Sequence, residues 1–105
     1  MIEISKADWK LYRERVVVWQ ENYMEKLVKE YVDILTSPGY ASEHFWALEE
    51  RIKKDKKHPG VQVEMRKSQA IWDIASFVQK KVITIDDLEG FSEELIDSVD
   101  FILSR

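Results

Sequence analysis

From Lys6 to Leu35 apolar residues return every three or four positions, and neither proline nor glycine interrupts them. Trp9, Tyr12, Val16, Trp19, Tyr23, Leu27, Tyr31 and Ile34 fall within about one third of a helix circumference at ~100° per residue. This spacing predicts one long helix. At ~1.5 Å per residue it runs for roughly 45 Å, more than a compact domain of this size spans on average. Ser5 stands as N-cap with Asp8 three positions on, and Ile4 and Trp9 hold the staple positions. A heptad through Trp9, Tyr12, Val16, Trp19 and Tyr23 would next require apolar residues at Lys26 and Glu30, and it fails there. The stripe continues at Leu27 and Tyr31, as in a nearly straight helix packing in a globule. A second row, Met24, Val28, Val32 and Leu35, widens it in the C-terminal half.

Strong breaking chemistry occurs at Ser37-Pro38-Gly39 and His58-Pro59-Gly60. A second helix is expected after Ser42, carrying Phe45, Leu48 and Ile52 inward and ending in the basic run Arg51 to Lys57, where positive charge suits the dipole. A third is expected from the Pro59-Gly60 turn to about Lys81, with Met65, Trp72, Ala75 and Val78 or Val82 on one face. Residues 61–65 alternate as a strand would; with no partner strand for so short a run, unpaired backbone groups favour helix. Near the end, Thr84 caps a short helix stapled by Ile83 and Leu88 and closed by Gly90. Phe91-Ser92-Glu93-Glu94 opens another, with Leu95, Val99 and Ile102 or Leu103 inward. The expected fold is all-α: a single domain, 1–105, forming an irregular four- to five-helix bundle with one long N-terminal helix.

Composition excludes several classes. The chain has 105 residues and no cysteine, which leaves no disulfide, thiolate zinc site or cysteine nucleophile. The longest apolar runs, Val16 to Trp19 and Phe45 to Leu48, are four residues each, against the ~20 a membrane helix needs. The N-terminus has neither the basic flank nor the apolar run of a secretory signal. A soluble cytoplasmic protein is the expectation.

Chemistry is sparse. His44 and His58 fall in different elements, no Glu-x-x-His pairing occurs, and no calcium loop is present, so no metal site is expected. Serines sit at caps or turns, without a nucleophile elbow. Three isolated glycines make no phosphate cradle. Adjacent acids such as Glu49-Glu50 point about 100° apart on a helix and cannot share a substrate atom. An enzyme is not expected, nor a cofactor.

Charge is segregated. Residues 51–67 hold seven basic side chains against Asp55 and Glu64, and residues 82–105 hold seven acids against Arg105. Lys53, Lys54, Lys56 and Lys57 could contact phosphates without reading bases, although the whole chain is acidic at −4. Along the long helix, Leu11 and Val18 nearly superpose beside Trp19, with Arg15 and Asn22 adjacent, giving an apolar edge fit for another chain. Two functional readings result. The first is a small protein acting by protein–protein interaction and self-associating through Leu11, Val18 and Trp19. The alternative is a nucleic-acid-associated accessory or regulatory protein using the lysine cluster. A third, a small-molecule regulator, rests on aromatic richness alone.

Four stretches carry a resemblance: Trp19 to Met24, Phe45 to Ile52, Asp55 to Val61 and Asp87 to Ser92. Together they resemble a set of short bacterial helical proteins of unassigned activity, some labelled automatically as multidrug transporters. The resemblance spans nearly the whole chain and implies no catalytic or binding residue. The transporter label conflicts with the lack of any membrane-length apolar run.

Overall fold

The computed structural model describes residues 3–105. Among these, four α-helices and no strand are found: α1 Lys6–Thr36, α2 Ala41–Asp55, α3 Ala70–Gln79 and α4 Glu93–Leu103. Two short 3₁₀ turns, Lys67–Gln69 and Ile85–Leu88, lead into α3 and towards α4. The fold is all-α with a long N-terminal helix, as the periodicity requires.

The N-terminal half of α1 lies in the core. Ser5 Oγ accepts from the Asp8 N–H at 3.1 Å and starts the helix. Tyr12, Val16 and Trp19 pack on Ile71, Ile74 and Phe77 of α3 and on Leu88, Phe91, Leu95 and Val99. The Trp19 ring lies 5.8 Å from Phe77 and 6.2 Å from Phe91, in tilted to edge-on contact that suits the ring quadrupoles. Asp8 is buried here and serves a second helix. Its carboxylate accepts from the Ser92 N–H at 3.0 Å and the Ser92 hydroxyl at 2.5 Å, while Ser92 Oγ caps α4 by accepting from the Leu95 N–H. One negative group thus lies at two helix N-termini, where both dipoles favour it.

Past Trp19 the molecule changes character. The C-terminal half of α1 packs on α2 and on the turn that follows it, as an antiparallel hairpin that projects from the core. The principal extents are 52 × 27 × 23 Å and the radius of gyration is 16.6 Å. A compact domain of this length would have about 13 Å.

Three local expectations are corrected. Residues 62–66 form no helix, and Arg66 at their end is extended. Val61 and Val63 are half-buried while Gln62 and Glu64 are exposed; the Gln62 N–H donates to the His58 carbonyl at 3.2 Å, and the remaining backbone groups of this surface run are within reach of solvent. Met65 and Trp72, expected inward, are exposed, because α3 starts late and buries Ala70, Ile71, Ile74, Ala75 and Phe77 instead. Phe45 and Ile52 are exposed as well, and α2 buries no residue at all. The end of α3 has a further feature. The Val82 N–H reaches the Phe77 carbonyl and the Lys81 N–H the Val78 carbonyl, closing the helix through Lys81 at φ 64°, a position where glycine is the usual occupant.

Asp8→Ala is expected to lower unfolding stability by about 2–4 kcal/mol, since it leaves Ser92 without its charged acceptor at the buried junction of two helices. Urea unfolding followed by circular dichroism measures this.

Candidate functional site: the helical hairpin

Two expected contact residues are already used. Trp19 is 6% exposed and belongs to the core, so it has nothing to present to a partner. Leu11 is half-buried against the core and the Gly90 turn. The cover comes from the same chain. Arg15 donates to the carbonyls of Asp87 and Glu89 at 3.0 and 2.8 Å and lies over the Phe91 ring, clamping the turn onto this edge of α1. Of the three, only Val18 stays exposed, beside Asn22 on a polar groove walled by Asp86, Asp87 and Glu89.

The unpartnered surface lies elsewhere. Of the thirteen large apolar side chains exposed among the described residues, eight fall between Met24 and Ile52. Met24, Val28 and Leu35 line one side of α1, and Phe45, Leu48 and Ile52 line α2. Phe45, at 62% exposure, and half-buried Leu48 form an apolar groove with Ile52, bordered by Glu49, Lys53 and Lys56. A neighbouring cleft of about 210 Å³ runs between the helices, lined by Met24, Leu27, Val28, Tyr31, Ile52 and Val61. Ile52 and Lys56 border both, so the grooves form one continuous face. Trp46 and Tyr40 are exposed near the tip.

Polar pairs align the two helices. Arg51 bridges Glu30 at 2.7 Å and Asp55 at 3.2 Å, and the Tyr31 hydroxyl donates to Asp55 at 2.5 Å. Burial, reinforced by Asp55 as acceptor, pushes the Tyr31 phenol up to about 12. Within the hairpin only Leu27 is buried. Such pairs set register but contribute little cohesion at this exposure.

The hairpin's base is a fitted joint. The His58 imidazole stacks on Tyr23 with centroids 4.6 Å apart and planes 3° from parallel. Its Nδ1 accepts from the Gly60 N–H at 3.0 Å, and Gln20 donates to the Pro59 carbonyl at 2.9 Å. A Cβ on Gly60 would lie 2.3 Å from the Tyr23 ring, so glycine is required by close approach. Burial first, and Lys80 second, hold His58 below the ordinary imidazole range, with Asp55 opposing. The Nδ1 contact acts the same way, because protonation there removes the acceptor.

Lys53, Lys54, Lys56 and Lys57 are all exposed at the C-terminal end of α2, and none is ion-paired within the described residues. Lys53 and Lys54 lie in the last turn of α2, where the dipole favours cations, and Lys56 and Lys57 follow it directly. Among the described residues no group of three or more His, Asp or Glu side chains is placed to hold a metal, and no helix is long and apolar enough to cross a membrane.

No protein-family model, curated protein or solved structure matches the chain. The site therefore rests on its own geometry.

Because folding favours neutral His58, its contribution is fully present above the unfolded pKa of about 6.5 and is lost as pH falls below it. Stability of the wild type should drop more than that of His58→Asn between pH 7.5 and 5.5, measured by urea unfolding at each pH. Equal drops would contradict this assignment.

Proposed function

We propose that this is a small cytoplasmic protein that acts by protein–protein contact, not catalysis, and that it self-associates through the apolar face of the α1–α2 hairpin. The observation that carries the reading is α2: a 15-residue amphipathic helix with no buried residue. A helix of this kind needs a second layer over its apolar stripe. Two helices side by side do not supply one, and a facing hairpin does, completing a four-helix arrangement.

Met24, Val28, Leu35, Phe45 and Ile52 are each 40–62% exposed on this face, an uncovered apolar patch of the kind that marks a contact surface. Apolar residues at its centre and Glu49, Lys53 and Lys56 at its border match the usual anatomy of an interface. Val18 lies off this face, so the surface proposed is not the Leu11–Val18–Trp19 edge expected from sequence.

A second reading, phosphate contact by Lys53, Lys54, Lys56 and Lys57, is favoured by one observation, that the four are exposed and, among the described residues, without an ion pair. It predicts a nucleic-acid gel shift that weakens steeply with salt and is lost when the lysines become glutamate.

Sedimentation velocity tests the main reading. The wild type should run as a dimer at high micromolar concentration, and Val28→Glu or Phe45→Glu should run as folded monomers with unchanged helical dichroism. A wild type that stays monomeric throughout would refute it.

A further inference from the structure

We infer that the second copy docks antiparallel, α1 against α1, about a two-fold axis crossing near Lys26. This rests on the reading of the hairpin as a self-association face and fixes its geometry.

The argument starts from spacing. Taking Leu27 as the centre of the inward stripe, the exposed residues Val17, Met24, Val28 and Leu35 all lie about 60–100° to one side of it at ~100° per residue. Their separations are seven, four and seven residues, the same read from either end. Reversing the helix about Lys26 therefore sets Val17 on Leu35 of the second copy and Met24 on Val28. A two-fold contact uses one patch twice and requires this self-complementarity. Parallel pairing would not use the symmetry at all. Lys26 lies on the opposite side of α1, so the axis does not place lysine on lysine.

Packing agrees with this orientation. The cleft of about 210 Å³ beside Met24 and Val28 is a ready hole for the partner's side chain in the same pair. The matching side of α1 is open along its N-terminal half, where Lys10, Arg13 and Glu14 are exposed. The reversed register brings Lys10 and Arg13 toward the second copy's hairpin tip.

The chain has no cysteine, so single introduced thiols report neighbours without background. The experiment mixes Val17→Cys with Leu35→Cys, and separately Met24→Cys with Val28→Cys, under mild oxidation, alongside each variant alone. The expected result is covalent heterodimer in the Val17–Leu35 mixture forming at least tenfold faster than homodimer in either single variant. In the antiparallel register two copies of residue 17 lie roughly 27 Å apart along the axis, beyond disulfide reach. The Met24–Val28 mixture should cross-link likewise. Rapid homodimer from Val17→Cys or Leu35→Cys alone would overturn the orientation. A dimer by sedimentation with no cross-link in either mixture would overturn the register while leaving the hairpin interface standing. A monomeric wild type would overturn both.

Discussion

One uninterrupted helix serves two different environments, and the rest of the structure depends on that. With 31 residues, α1 is about 46 Å long, and the core formed by α3, α4 and their leading turns covers its first half. The remainder cannot bend back, since nothing between Lys6 and Thr36 breaks it. It carries its apolar residues out of the globule, and α2 follows because Ser37-Pro38-Gly39 returns the chain antiparallel. The exposed face is thus a direct result of helix length.

The two halves are held by different physics. Around Trp19, Phe77 and Phe91 the interior is apolar and closed, and the buried Asp8 joins the N-termini of α1 and α4. In the hairpin, Arg51, Glu30, Asp55 and Tyr31 supply alignment, while Leu27 alone is buried. Few buried apolar contacts mean low local stability. The His58–Tyr23 stack and the Gly60 contact hold the turn after α2 against α1 at the hairpin's base.

Much of the fold was legible from the residues. The Ser5 cap, the unbroken ladder and the Ser92 cap are local signals whose physics needs no tertiary information, and each holds in the structure. The opening of α3 was not, because solvent exposure of Gln62 and Glu64 decides whether a non-helical run is tolerable, and exposure is a tertiary property. The site was half legible. The row Met24, Val28, Val32 and Leu35 stood out by spacing, yet an apolar row reads alike whether it faces a core or a partner. Leu11 and Trp19 were misplaced for the converse reason: Arg15 draws the Asp87–Gly90 turn over them through backbone carbonyls, which leave no mark in the side-chain pattern.

Hydrogen exchange read residue by residue, at low and high protein concentration, tests most directly the claim that the hairpin is stabilised from outside the chain. Amides of 70–79 and 93–103 should be protected equally at both concentrations. Those of 24–36 and 41–55 should exchange quickly when dilute and slow at least tenfold when concentrated. Uniform protection across both helices of the hairpin in dilute solution, unchanged by concentration, would contradict the account.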